Sequence, residues 1–239
     1  MKKLILIIML AIVFAFSGKA MAEQPQITVG LKTWFATWET KLGSDKFESD
    51  YGVMYGPSVN VRYDKIFAGA SYTLGSFSFP TVTTSVADVN LDADRSDLDL
   101  SAGYYFHPNV AGFIGYKVSD FDYNMTLDTI FGSSEATASE TRNGPVLGVN
   151  GHYPIDGTRW VLFGNMSYVM LDAEYKDSTG KTTGDVTGPA IEFGGAYAAE
   201  MMPLSVSVGF KYQNYEYDNS GGATDTFSGL TFGVNYTIQ

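Results

Sequence analysis

Between Leu204 and Gln213 the chain alternates without a break: Leu204, Val206, Val208, Phe210 and Tyr212 fall on one face, and Ser205, Ser207, Gly209, Lys211 and Gln213 on the other. Such a period of two belongs to an extended strand, whose successive side chains point to opposite sides, and not to a helix. One face is oily and the other is wet, so the segment needs two unlike surroundings at once. The pattern recurs along the chain to its last residues. Its polar face is rich in glycine and carries only an occasional charge.

Ten segments carry this signal between turn-forming residues: 26–38, 52–63, 66–78, 93–106, 110–124, 141–153, 159–175, 185–198, 203–217 and 226–238. Their connections alternate in length. Short links fall at Asp64-Lys65, His107-Pro108-Asn109, 154–158 and 199–202; longer polar links span about 39–51, 79–92, 125–140, 176–184 and 218–225. Residue size then sets the inside from the outside. Leu98, Leu100, Ala102, Tyr104 and Phe106 alternate with Asp97, Asp99, Ser101, Gly103 and Tyr105, and a mostly small, ionic face suits the crowded lumen of a narrow barrel. A soluble barrel would turn the bulky apolar set inward. The expected fold is therefore all-β: a single up-and-down antiparallel transmembrane β-barrel of ten strands, with eight as the alternative. The segment at 159–175 leaves its own parity open, because Trp160, Val161, Leu162 and Phe163 are apolar on both faces.

The first 22 residues read as a separate object. Lys2 and Lys3 precede an apolar run from Leu4 to Phe16, and Ala20-Met21-Ala22 stands before Glu23. This is the layout of a secretory signal peptide with a small-residue cleavage site, which leaves residues 23–239 as one barrel domain. The chain carries a net charge of −11, and loss of Lys2, Lys3 and Lys19 with the leader makes it more acidic still. An acidic chain without a basic patch argues against a nucleic-acid partner. With no cysteine in an exported chain, disulfides are excluded and the sheet must supply the stability.

Aromatic residues collect at the segment ends. Tyr63, Phe106, Tyr153, Trp160 and Tyr236 stand near the short turns, while Trp38, Phe77, Phe79, Phe121, Tyr123, Tyr175, Tyr215 and Tyr217 stand near the long links. Two interfacial girdles are the expectation. Alternation assigns Lys32, Arg62, Asp97, Asp99, Lys117, Glu192 and Lys211 to the lumen, with Asn60, Asn150 and Asn235. Charges in a dry lumen must pair or line a wet path, so the set reads as a salt-bridged plug, the alternative being a narrow ion pore. Asp88, Asn90, Asp92 and Asp94, with Asp99 in the twelfth place, match the oxygen-ligand spacing of a calcium loop. Against that, Ala93 stands where such a loop needs glycine, and the other reading is an acidic loop running into a strand. No metal or other cofactor is assigned.

Gly233, Tyr236 and Ile238 resemble the C-terminal signal that the barrel-assembly machinery reads in outer-membrane proteins. With the leader and the recurrent glycine-to-tyrosine spacing at Gly69–Tyr72 and Gly209–Tyr212, the mature chain resembles a small Gram-negative outer-membrane β-barrel of the OmpA/OmpX-like class, with 8 to 10 strands. The resemblance implies short periplasmic turns, long external loops, outer-membrane lipid and lipopolysaccharide as surroundings, assembly by that machinery and a monomeric state. It names no activity. Ten strands also fit the omptin proteases, and small barrels include lipid A-modifying enzymes, whose sites lie at the outer rim. The two histidines, His107 in a short turn and His152 before Tyr153-Pro154, both fall at the opposite end. Asp97 and Asp99 have no histidine in the outer half to act with as general base. The expectation is a non-enzymatic barrel that presents five acidic loops around a largely plugged lumen.

Overall fold

The computed structural model describes residues 25–84, 86–218 and 222–238; the leader assigned to residues 1–22 lies outside them. Ten long strands form the wall: β1 (Gln26–Leu42), β3 (Gly52–Tyr63), β4 (Ile66–Thr83), β5 (Ala87–His107), β6 (Val110–Thr129), β7 (Gly132–Pro154), β8 (Trp160–Lys176), β9 (Lys181–Ala198), β10 (Leu204–Tyr217) and β11 (Thr224–Ile238). A four-residue strand, β2 (Asp45–Glu48), folds back on the end of β1. Each long strand pairs antiparallel with its sequence neighbour, and β11 pairs with β1 from Ile27↔Ile238 to Lys41↔Thr224. The sheet is closed, so the wall keeps no edge of unpaired N–H and C=O groups.

All ten expected segments are strands, and at the end holding the short turns their limits agree to within a residue or two. At that turn end Asp64 takes φ 50° in the two-residue link between β3 and β4. The opposite, hairpin end differs from expectation. The polar stretches 79–92 and 125–140 are not long loops: β4 continues to Thr83 and β5 begins at Ala87, while β6 runs to Thr129 and β7 begins at Gly132. Alternation simply persists there, with Val89 and Leu91 between Asp88, Asn90 and Asp92. Pairing of Asp88 with Asp128 and of Asp92 with Asn124 carries the ladder outward. Polarity alone is a poor sign of a loop once both faces of a strand leave the apolar zone.

The outside is the oily face throughout. Leu31 (65% exposed), Ile114 (65%), Phe193 (56%) and Leu147 (51%) stand outward beside Val206, Val208, Leu230 and Phe232. The ambiguous segment resolves the same way, with Trp160, Leu162, Met166 and Tyr168 outward and Phe163, Asn165 and Ser167 on the lumen side. Beyond Tyr116 and Tyr168 the outward positions turn acidic, at Asp120 and Asp122 on β6 and at Asp172 and Glu174 on β8.

One girdle is corrected. Phe106, Tyr153, Trp160 and Tyr236 are outward and exposed at the turn end. The eight aromatics expected to ring the hairpin end face inward instead: Trp38, Phe77, Phe121 and Tyr215 are buried, with Phe79, Tyr123 and Tyr217 packed on them, and Tyr175 shares their parity at the rim. Parity decides it, because Phe121 and Tyr123 stand four and six residues beyond the luminal Lys117, and Tyr215 stands two beyond the luminal Gln213. The core of this molecule lies inside the barrel mouth.

Wall strands can coil this tightly only where the lumen side is bare. Gly229 on the closing strand faces Ala36, and a Cβ there would collide with the Phe35 carbonyl oxygen. Gly229→Val is expected to destabilise the barrel by at least about 1–3 kcal/mol. The check is the heat-dependent mobility of the refolded protein in gels, whose folded band should weaken or vanish.

Candidate functional site

Period-two geometry brings the ionic residues together. β5 presents Arg95, Asp97 and Asp99 to the lumen, β6 presents Lys117, Ser119 and Phe121, and Asp99 stands opposite Lys117. Arg95 grips Asp97 with two donors, Nε at 3.0 Å and Nη2 at 2.7 Å, and Nη2 also donates to Gln213 Oε1 across the barrel at 3.0 Å. Lys117 Nζ donates to Asp97 Oδ2 at 2.9 Å and to Asp99 Oδ1 at 3.0 Å. Two fixed cations thus neutralise two carboxylates at a depth where an unpaired charge is costly.

A second cluster lies nearer the hairpin end. Arg142 donates to Glu140 from Nε (2.8 Å) and Nη2 (2.9 Å), and Nη2 reaches Asp225 Oδ2 at 2.7 Å. Asp225 also accepts from Trp38 Nε1 (3.0 Å), Thr40 Oγ1 (2.7 Å) and Tyr217 OH (2.7 Å), while Tyr123 OH donates to Glu140 at 3.0 Å. The oxygens of both carboxylates, Glu140 and Asp225, thus meet donors, which is the condition for holding them inside, while Arg142 Nη1 has no partner among the described residues.

Aromatic rings fill the space between the clusters. The Trp38 ring centre lies 5.0 Å from that of Phe227, 5.4 Å from Phe121 and 5.8 Å from Phe77. The Arg95 guanidinium stands 4.1 Å over Phe227 and that of Arg142 4.2 Å over Phe121, so ring faces separate the two cations. Together these residues pack into the hairpin half of the lumen. The half toward the turns stays open as a cavity of about 290 Å³ lined by Lys32, Asn60, Asn150, Asn165, Glu192 and Lys211 among others.

Of the luminal charges expected from alternation, Asp97, Asp99 and Lys117 meet in one network, and Lys32, Glu192 and Lys211 line the cavity. Arg62 stands apart at the turn end, its guanidinium 4.2 Å over Tyr105. His152 also lies at that end, its ring 6.0 Å from Tyr105, and His107 is exposed in its turn. Asp88, Asn90, Asp92 and Asp94 do not form a loop. They lie at alternate positions of β5 on its outer face, opposite to Asp97 and Asp99, because an extended strand cannot curl ligands around an ion. Among the described residues no three His, Asp or Glu side chains converge as metal ligands. Gly233 faces the lumen, while Tyr236 and Ile238 point outward on the strand that pairs with β1 at Val29 and Ile27.

Sequence reading missed Arg95, Glu140, Arg142 and Asp225. A signal existed for Arg95, which shares the parity of Asp97 and Asp99. Glu140 and Asp225 fall in the polar links 125–140 and 218–225, where alternation is not expected to carry a signal, and Arg142 stands at the margin of the first.

A closed ten-strand antiparallel sheet with an apolar outside and an ion-paired inside is a transmembrane β-barrel, and the chain is an outer-membrane β-barrel protein. Over 82 residues, 34% of this chain, it is 32% identical to outer membrane protein U of Vibrio parahaemolyticus, of whose length it covers 24%. Among solved structures, outer membrane protease OmpT from Escherichia coli superposes with a TM-score of 0.56 at 14% identity, covering 93% of this chain and 100% of that one. The translocator domain of the autotransporter NalP from Neisseria meningitidis gives a TM-score of 0.48 at 12% identity, covering 98% and 97%. At 14% identity the likeness to OmpT is one of fold alone. No protein-family model matches the chain.

Removing one partner of a buried ionic set leaves the others uncompensated. Arg142→Met strands Glu140 and Asp225 and is expected to cost about 3–5 kcal/mol. The triple change Arg142→Met with Glu140→Gln and Asp225→Asn should recover part of that loss. Asp92→Asn, on the outer face, should stay within about 0.5 kcal/mol of the parent. Guanidinium unfolding in detergent micelles measures all three.

Proposed function

We propose that this protein is a sealed surface barrel: it anchors in the outer membrane and presents its protruding hairpins, and it neither conducts nor catalyses. The observation that carries the reading is the plug. Trp38, Phe77, Phe121 and Phe227 interlock with Arg95–Asp97–Lys117 and Arg142–Glu140–Asp225 across the whole hairpin half of the lumen. In outer-membrane barrels the short turns are periplasmic and the longer connections external. By that rule the hairpin end faces outward and the open cavity faces the periplasm. A cleaved leader, passage through the barrel-assembly machinery, contact with lipopolysaccharide and a monomeric state complete the proposal.

The external part is a two-faced blade formed by the ends of β4 to β7. Its outer face carries Asp88, Asp92, Asp122 and Asp128. Its other face is apolar, with Val82 (48% exposed), Met125 (42%) and Leu127 (37%), and the tip residues Ile130 and Phe131 stand nearly free. The pairing of β7 with β8 begins only at Ser139, so residues 132–138 form an open edge. Exposed edges and apolar faces are where other chains add on, which supports an interactive role.

The enzyme reading fares worse. Both histidines are at the turn end, and the carboxylates near the outer mouth, Glu140 and Asp225, are already held by Arg142 and by tyrosine hydroxyls. Planar-bilayer recording tests the proposal. The refolded protein is expected to give no unitary conductance, and Trp38→Ala combined with Phe227→Ala is expected to create one. Steady channels from the unaltered protein refute the sealed barrel and favour the narrow pore.

A further inference from the structure

The open half of the lumen is chemically lopsided in a way that the plug does not explain. Three lysines, Lys32, Lys117 and Lys211, line it against two carboxylates, Asp99 and Glu192, in a chain whose net charge is −11. Lys117 is engaged by Asp97 and Asp99 at 2.9 and 3.0 Å. Among the described residues, neither Lys32 nor Lys211 forms an ion pair within 4.0 Å, although Lys211 stands opposite Glu192 on the neighbouring strand. The Lys211 ammonium is instead held 4.5 Å over the face of Trp34. Trp34 is only 5% exposed, lines the same cavity, and its Nε1 has no hydrogen-bond partner.

Register turns these groups into a site. Asn150 pairs with Asn165, Asn165 with Glu192 and Glu192 with Lys211, so one luminal row on β7, β8, β9 and β10 runs amide, amide, carboxylate, ammonium. Hydroxyls of Ser58 on β3 and Ser71 on β4 line the cavity from other strands, and Thr231 stands on β11 beside the row. Lys32 points inward yet is exposed, which marks the cavity as open to solvent. A volume of about 290 Å³ is at the small end of small-molecule sites.

We propose that this cavity binds a small hydroxylated monocarboxylate that enters from the turn end. Its carboxylate accepts from Lys211, Lys32 and the Trp34 indole N–H, and its hydroxyls bond the asparagine and serine walls. Lys211, half-buried and without a counter-ion within 4.0 Å among the described residues, is costly in a narrow lumen, and a bound anion relieves that cost while solvated Lys32 adds to its attraction. The excess of one positive charge matches a monoanion, whereas a polyvalent anion would face Asp99 and Glu192. The absence of an arginine from the lining removes the planar fork that favours phosphate.

Gluconate is the probe, titrated into the refolded full chain in detergent and followed by calorimetry and tryptophan fluorescence. Saturable binding in the millimolar range is expected, with no response to sorbitol, which has the hydroxyls and lacks the charge. Lys211→Met and, separately, Lys32→Gln should each weaken it by about tenfold or more, a loss of about 1.4 kcal/mol. Exposed Lys41→Gln should leave it unchanged, and each variant's folded gel band verifies the barrel. No saturable response, an equal response to phosphate, or full binding in both luminal variants overturns the proposal. None of these outcomes bears on whether the barrel is sealed.

Discussion

Inside a hydrocarbon layer no water is available to a stray peptide group, and this constraint governs the rest of the molecule. A sheet meets it only by closing, which here means the seam of β11 on β1. Closure at ten strands makes the lumen narrow, and narrowness brings inward side chains of opposite walls within reach of one another, as Arg95 and Gln213 show. Gly229 sits where the wall is too tight for a Cβ, while Trp38 sits where the lumen must be filled by one large ring.

A narrow lumen filled with ions is stable only if each buried charge is met by an opposite charge or by hydrogen-bond partners. The two arginines of the plug meet this condition differently. Arg95 shares Asp97 with Lys117, giving cations an excess that Asp99 takes up, whereas Arg142 serves two carboxylates that need tyrosine, threonine and tryptophan donors as well. Between them Phe121 and Phe227 present ring faces to guanidinium groups, so the apolar and ionic parts of the plug form one packed body. Below it the lining changes from rings to serine and asparagine, and the cavity begins.

The hairpin end shows how one strand serves three environments in turn. β6 passes from Ile114 in the apolar belt, through Tyr116 at its limit, to Asp122 and Asp128 beyond it, while its inner face runs from Lys117 through Phe121 to Met125 and Leu127. The ladder is unbroken across these changes. Backbone pairing, once begun in the wall, continues past the layer that required it.

Alternation along the chain by itself pointed to ten strands, with eight as the alternative, and determined that the bulky apolar face is outward, that the turns are short at one end, and that Lys32, Asp97, Asp99, Lys117, Glu192 and Lys211 point inward. These follow from a period of two, a local property that a segment such as 204–213 reveals by itself and that 159–175, apolar on both faces at Trp160–Phe163, does not. What only the tertiary structure decided is which inward residues meet. Arg95 and Gln213 are far apart in sequence and share a hydrogen bond because curvature carries β5 and β10 toward one another across the lumen. The aromatics near the hairpin end show the same divide: composition suggested an interfacial ring, and closure gathered Trp38, Phe77, Phe121 and Phe227 into a plug. Strand ends depended on it too, because partners such as Asp128 for Asp88 hold polar residues in a ladder that their own chemistry does not announce.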